Sequence, residues 1–403
     1  MNLAFILLSF PTITETFILN QITALIDRGH TVEIFSLEKP LSPTFHKEVE
    51  KYHLLEKTCY FRRYSGRRDM VSNILSSPFS ALSGLPRIVK YLKLGLKVEG
   101  LWKLVPFLGK KKFDLIHAHF GQVGAEFIFL KDILRLPFIT SFYGYDATQI
   151  PRESPSIYQT LFKRSDFIIV LSEAMKEELL RLHCPGEKIR IHHLGVDLNK
   201  FKPGEKKESN YNTVLLVGRL VEKKGIPLAI GAFARIKNKY PQTRLKIIGD
   251  GYLKDTIEEL IRQCDLQDRA TLVGFHTQVK EEMANADIFI LPSHTSKRGD
   301  KEGTPMVLME AQATGLPVIS TFHAGIPEVV IDGETGFLVK EKDVDALADR
   351  LAYLLDHPEL RLEMGRKGRA HIEKHYNVKD EITHIERLYV EASTLYHGRG
   401  QNR

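Results

Sequence analysis

The pattern that most restricts how this chain can fold is a strand-helix-strand succession that begins at residue 3 and begins again at residue 213. Residues 3–8 form an apolar run, 14–28 fit a helix, and 31–37 form a second run rich in β-branched side chains. Later, 213–217 and 244–248 read as strands around a helix at 226–240. Such alternation builds parallel sheets covered by helices. Between the two successions, 200–212 is polar, contains Pro203 and Gly204 and carries a run of charge, so it reads as an interdomain linker. At 403 residues the chain exceeds what one compact core holds. The expectation is an α/β protein of two domains, 1–199 and 213–375, followed by a terminal segment, 376–403.

Several function classes fall away on composition. The opening apolar run lacks a basic flank and meets Pro11 almost at once, which reads as a strand and not as a signal peptide. No apolar stretch approaches the roughly 18 to 20 residues that span a bilayer. Cys59, Cys184 and Cys264 are odd in number and far apart, which implies neither a disulfide framework nor a zinc site and fits a reducing, cytoplasmic compartment. The net charge of +7 is concentrated: residues 57–112 hold thirteen Lys/Arg against two Asp/Glu, so the rest of the chain is acidic on balance. Within that segment Arg62-Arg63 and Arg67-Arg68 come first. Pro86 then opens a helical stretch, 87–108, with Lys90, Lys93 and Lys97 on one face, Val89, Leu92 and Leu96 on another, and Trp102 further along. Two readings carry equal weight, a helix lying on an anionic membrane surface and a core-packed helix with a solvated basic rim. No nucleic-acid recognition motif accompanies the charge.

The residues with chemical potential fall just past strands, the edge where ligands bind in open α/β sheets. In the first domain these are the hydroxyl-rich loop 9–16 with Thr14, a substrate-binding candidate, the cluster around His119, and Tyr143 with Asp146; His119, Tyr143 and Asp146 are candidates for acid/base or acceptor-positioning work. No Gly-rich dinucleotide fingerprint is present. In the second domain Arg219 and Lys224 follow the first strand and suit a diphosphate clamp. The stretch 302–310 sets two carboxylates across a helix start. Thr304 reads as the N-cap and Pro305 as the first helical residue. Glu302 and Gly303 then sit just outside the positive end of the helix, and Glu310 lies in an apolar run where a carboxylate needs hydrogen-bond donors such as a diol. Taken singly, each of these residues also has an ordinary structural explanation as a capped helix start, a solvated cation or a satisfied histidine.

Together they resemble a known family. The succession Val217-Gly218-Arg219-Leu220…Lys224-Gly225, Gly249-Asp250-Gly251, Val273-Gly274-Phe275, Leu291-Pro292-Ser293, Glu302 to Glu310-Ala311, Gly315-Leu316-Pro317-Val318 and Gly333 to Gly336 is similar to that of the retaining glycosyltransferases of family 4. Phe10-Pro11…Glu15-Thr16-Phe17-Ile18, His117-Ala118-His119-Phe120-Gly121 and Gly144-Tyr145-Asp146 resemble the branch that assembles bacterial exopolysaccharides of the colanic-acid and amylovoran type.

The resemblance implies a GT-B fold, two Rossmann-like domains facing across a cleft, with the terminal helix crossing back to the N-terminal one. It implies transfer of a hexose-type sugar from a nucleoside-diphosphate donor to a glycan, lipid-linked in the reading that the basic segment favours, with no metal or cofactor. Arg219 and Lys224 would neutralise the diphosphate beside Gly218, Glu310 would accept from the ribose, Glu302 would hold the donor sugar, and the backbone of Gly303, Thr304 and Met306 would lie against sugar and phosphate. Phe275 and His276 would lie near the base. One departure concerns Tyr143, which stands where many family members carry histidine; His119 or Asp146 would then take any step ascribed to that imidazole. Two rival functions are a sugar-nucleotide epimerase of the same fold and a catalytically silent sugar-nucleotide or membrane-binding scaffold.

Overall fold

The computed structural model describes residues 1–40, 45–62, 78–108, 112–204, 209–276 and 278–401. Seven strands form one sheet: β1 (Asn2–Ser9), β2 (Thr31–Glu38), β3 (Thr58–Tyr60), β4 (Leu115–His119), β5 (Phe138–Ser141), β6 (Phe167–Val170) and β7 (Ile189–Ile191), in the order β3-β2-β1-β4-β5-β6-β7. Six form another: β8 (Asn212–Val217), β9 (Thr243–Ile248), β10 (Ala270–Gly274), β11 (Ile288–Ile290), β12 (Val318–Thr321) and β13 (Gly336–Val339), in the order β10-β9-β8-β11-β12-β13. Every strand pairing is parallel. The central strands are buried on both faces, which is why they read as continuous apolar runs such as Leu3 to Leu7 and Val214 to Leu216.

Each sheet reverses its strand order beside its first strand, between β1 and β4 and between β8 and β11. Such a switch point opens a crevice at the carboxyl ends of the strands. Thr12 to Glu15 and His119 lie at the first crevice, and Arg219, Lys224 and Glu302 at the second.

Three local expectations are corrected. Pro86 does not open a helix but lies inside helix Pro78–Lys93, and short 3-10 turns, Val98–Lys103 and Val105–Phe107, replace the remainder of the helix expected to Leu108. The three lysines do not share an outer face, because Lys90 turns inward and its ammonium donates to the Asp132 carbonyl. Of the basic segment, Arg63, Arg67, Arg68, Lys110 and Lys111 lie outside the described residues. Finally, helix Pro358–His375 has no counterpart in the sequence reading. Its buried positions are Met364, Gly365, Gly368 and Ile372, too few large apolar residues to show a helical period. The glycines serve close packing: a Cβ on Gly365 would overlap the carbonyl of Gly315 at the end of helix Met306–Ala313.

The last helix, Val378–Gln401, packs on the first domain. Tyr389 places its hydroxyl 2.7 Å from His117 Nδ1 and 3.0 Å from Gln21 Nε2, all three buried. Glu386 pairs with Arg28 at 2.7 Å and His30 at 2.8 Å, and Glu391 pairs with Arg190 at 2.8 Å.

Candidate functional site

After β8 the chain turns through Gly218 and the exposed Arg219 into the 3-10 turn Glu222–Lys224. Lys224 is buried there, its ammonium 2.7 Å from Glu302 Oε1, and Ser293 Oγ donates to the same oxygen at 3.0 Å. Lys223 stands 3.9 Å from Glu302 Oε2 and 2.9 Å from Asp300 Oδ1. Burial by itself would raise the Glu302 carboxyl, but the Lys224 and Lys223 ammonium groups outweigh it and hold the carboxyl down at about 2. Lys224 is pushed the other way, its pKa lowered by burial against the pull of Glu302. The backbone of Glu302 is fixed too: its N–H donates to His323 Nε2 at 3.0 Å, and His323 Nδ1 is 2.7 Å from Glu341 Oε1. That pairing puts the ring proton on Nδ1 and orients the imidazole.

Thr304 is not the cap of the following helix. Pro305 has an extended ψ of 112°, so it occupies the cap position itself and Met306 is the first helical residue. The Thr304 hydroxyl instead lies 3.5 Å from the Leu171 carbonyl of the first domain. Glu310, half-buried in helix Met306–Ala313, has no hydrogen-bond partner for its carboxyl among the described residues, and burial raises it to about 7 against the weaker pull of Lys200. Phe275, past the end of β10, is 47% exposed and available for stacking. His276 Nδ1 accepts from the Gln278 N–H at 3.1 Å.

The opposing wall differs most from expectation. Asp146 is fully buried, and its carboxylate accepts from the N–H groups of Gly121, Tyr143 and Gly144, each at 2.9 Å. Burial raises it to about 6 while those bonds oppose the rise. With both oxygens engaged, Asp146 shapes the loop and is not placed to exchange protons with an acceptor. His119 is likewise fully buried; its Nδ1 is 2.6 Å from the Tyr143 hydroxyl and its Nε2 has no partner. Burial lowers its pKa to about 3, so the ring is neutral. Tyr143 is half-buried, its ring 4.7 Å from that of Phe17. Thr14 is exposed on the loop before helix Thr16–Asp27.

Sequence reasoning quoted Glu15 in a motif but passed over it as a site residue. It sits at the N-cap position of helix Thr16–Asp27 without capping it, and accepts instead from Thr12 Oγ1 at 3.2 Å. Burial raises its carboxyl to about 7, opposed by Thr12 and by the field of Arg219 from the other domain. A cleft beside it is lined by Phe10, Thr12, Ile18, Phe45 and His46. Ser293, like Glu15, was quoted in a motif but not as a site residue. Lys223, His323 and Glu341 were also missed, because each meets a partner distant in sequence.

The two walls touch. The backbone at Gly144 leaves so little room that an added Cβ would lie 2.9 Å from the Gly303 nitrogen and the Lys301 carbonyl, and a Cβ on Gly303 would overlap the Tyr143 carbonyl. Lys301 N–H donates to Thr148 Oγ1 at 3.2 Å, and Glu328 accepts from the N–H groups of Glu173 and Ala174 at 3.1 and 3.2 Å, at the start of helix Glu173–Arg181.

Comparison with known proteins agrees with this architecture. Residues 14–200 match the model of Glycosyltransferase Family 4 and 197–371 that of Glycosyl transferases group 1. WcaL of Escherichia coli (strain K12), provisionally designated a colanic acid biosynthesis glycosyltransferase, is 35% identical over 394 residues, 94% of this chain and 96% of its own. The amylovoran biosynthesis glycosyltransferase AmsK of Erwinia amylovora is 34% identical over 397 residues, again 94% and 96%. Among solved structures, Anabaena Alr3699/HepE in complex with UDP superposes with a TM-score of 0.74 at 17% identity, covering 97% of this chain and 100% of its own. Sucrose-phosphate synthase from Thermosynechococcus elongatus gives 0.73 at 21% identity, covering 97% and 98%. The chain belongs to glycosyltransferase family 4, has the GT-B fold, and is a glycosyltransferase of the exopolysaccharide-biosynthesis type.

Proposed function

We propose that the protein is a retaining hexosyltransferase, drawing on a nucleoside-diphosphate sugar and extending a lipid-linked glycan. The observation that carries the donor assignment is the charge arrangement around helix Met306–Ala313: an exposed Arg219, a buried Lys224–Glu302 pair, and a Glu310 carboxyl with no hydrogen-bond partner among the described residues. Arg219 and Lys224 meet the diphosphate, Glu310 the ribose diol, Glu302 the sugar hydroxyls, and the exposed Phe275 ring the base. UDP is the nucleotide to try first, since the Anabaena structures hold UDP, UDP with glucose, and UDP-glucose.

In the reaction the bond from the anomeric carbon to the phosphate oxygen breaks, with its electron pair going to that oxygen, and the acceptor oxygen bonds to the same face of the sugar. The acceptor proton passes to the departing phosphate oxygen. Charge grows on the diphosphate as the bond breaks, so cations already in place stabilise the transition state more than the ground state. The basic segment 57–112 supports a membrane surface as the place where the acceptor is met. The domain division supporting this reading is 1–199 and 213–375, with 376–403 returning to the first domain.

The test is a thermal-shift screen with UDP and common nucleotide sugars, followed by transfer assays with radiolabelled sugar nucleotides and bacterial lipid extract as acceptor. Stabilisation by UDP and acceptor-dependent transfer with retained anomeric configuration are expected. Acceptor-independent release of an epimerised sugar nucleotide would replace this reading with the epimerase, and binding without turnover would replace it with the scaffold.

A further inference from the structure

Over residues 84–93, helix Pro78–Lys93 carries apolar side chains on two faces, and among the described residues only one of them is covered. Gly84, Ile88 and Tyr91, spaced four and three residues apart, face the first domain. Gly84 lies against Leu108, and the buried Tyr91 ring packs edge-on to Phe129 with centroids 5.4 Å apart. Leu85, Val89 and Leu92 repeat the same spacing one position on and are 58%, 42% and 45% exposed. Leu94 and Val98, just past the helix end, are also exposed. Lys93 and Lys97 stand among these five aliphatic side chains, exposed and in no ion pair among the described residues. Neighbouring cations are committed to the fold: Arg87 donates to the Phe107 carbonyl, Lys90 to the Asp132 carbonyl, and Lys103 pairs with Glu126 at 2.8 Å.

We propose that this outer stripe docks on an anionic lipid bilayer, with Leu85, Val89 and Leu92 entering the headgroup boundary and Lys93 and Lys97 on the lipid phosphates. The inference deepens, and rests on, the membrane part of the reading above. Charge complementarity selects the occupant. A second copy of the chain joined by a two-fold axis would bring together two copies of a helix that carries Arg87, Lys90 and Lys93 and no carboxylate to offset them. An acidic protein would pair with the lysines but would need a groove to receive a straight row of aliphatic side chains. A bilayer interface offers anionic phosphates and acyl chains side by side, the match for a helix that is apolar outward with cations at its edge.

The experiment is co-sedimentation of the full chain with phosphatidylcholine vesicles, with and without about 30 mol% phosphatidylglycerol. The wild type is expected to pellet with the anionic vesicles only. Both the Leu85→Ser/Val89→Ser/Leu92→Ser and the Lys93→Glu/Lys97→Glu variants should partition at least about tenfold less, with melting temperature and UDP response unchanged because the side chains are exposed. A wild type absent from anionic vesicles would overturn both this stripe and the membrane reading. Variants that pellet as well as the wild type would overturn the stripe alone and leave the wider basic segment as the contact. A wild-type dimer by light scattering that the serine variant makes monomeric, without vesicle binding, would assign the face to a second copy.

Discussion

Lys224 Nζ and Glu302 Oε1 stand 2.7 Å apart, and neither side chain has more than 11% of its surface in water. Removing one member of such a pair strands the other as a buried charge, which costs about 3–5 kcal/mol. Glu302→Ala should therefore lower both the melting temperature and the transfer rate, the latter at least about a hundredfold. Arg219→Ala should lose a similar factor in rate with the melting temperature unchanged, since Arg219 is exposed and holds no structural partner among the described residues. Calorimetry beside the transfer assay separates the two; an equal loss of stability in both variants would contradict the assignment.

Glu310 links donor binding to pH. Its carboxyl is raised to about 7 by burial, and in the proposed donor site a ribose diol donates to the ionised form. UDP affinity should fall as pH drops from 8 towards 6, by up to about tenfold per unit below the pKa. In Glu310→Gln that component of the pH dependence should vanish, and isothermal titration across the range checks it. An unchanged slope would remove Glu310 from the ribose.

Two buried carboxyls contribute to stability with opposite pH dependence, because lysines overcome burial at Glu302 and nothing comparable does at Glu310. Glu302, held near 2 against an ordinary 4.5, stabilises the fold above about 4.5 and loses that contribution as pH falls towards 2. Glu310, raised to about 7, takes up a proton on folding between 4.5 and 7, so its contribution weakens as pH rises through that window. Glu310→Gln should thus gain stability relative to wild type from pH 5 to pH 8, and Glu302→Gln should lose stability relative to wild type over pH 2 to 4.5. Urea titrations at four pH values would show either trend to be wrong.

Gly303→Ala would drive a methyl group into the Tyr143 carbonyl. Relief requires the two walls to separate, at a cost of about 1–3 kcal/mol. The expected signature is a larger radius of gyration by small-angle scattering and a lower transfer rate, with UDP binding retained by the second domain. A variant as compact and as fast as the wild type would mean that the walls part freely during turnover.

Tyr143→Phe removes the hydroxyl paired with His119 Nδ1 and leaves a buried imidazole with no hydrogen-bond partner on either nitrogen among the described residues. A loss of about 1–3 kcal/mol is expected from the missing bond. If Tyr143 serves only to hold His119 and the loop, KM and kcat should change little once stability is restored by low temperature. A fall in kcat alone would show the hydroxyl at the reacting sugar.

The fold was legible because parallel strands buried on both faces must be written as apolar runs, and because Gly and Pro mark where they end. The Lys224–Glu302 pair was legible for a related reason: each residue follows the end of a strand, β8 or β11, and these two strands are neighbours in the sheet. For Asp146 and His119 the sequence shows which edge each residue reaches but not that backbone N–H groups and a tyrosine hydroxyl already engage their polar atoms. His323 and Glu341 stayed hidden because their effect on Glu302 is a hydrogen bond from one loop to another. Helix Pro358–His375 stayed hidden because glycines make its inner face.

The hydroxyl of Tyr389 between His117 and Gln21 has a consequence for the order in which the protein is made. His117 and Tyr389 are 272 residues apart in the chain, a gap of roughly 15–50 s at ordinary rates of synthesis. For that interval the first sheet can form its strand ladder, yet His117 on strand β4 and Gln21 on helix Thr16–Asp27 lack the hydroxyl that pairs with both. The N-terminal domain is therefore completed last, by a helix synthesised after the whole of the other domain, and the newborn chain passes through a stage in which the second domain can be finished while the first still waits.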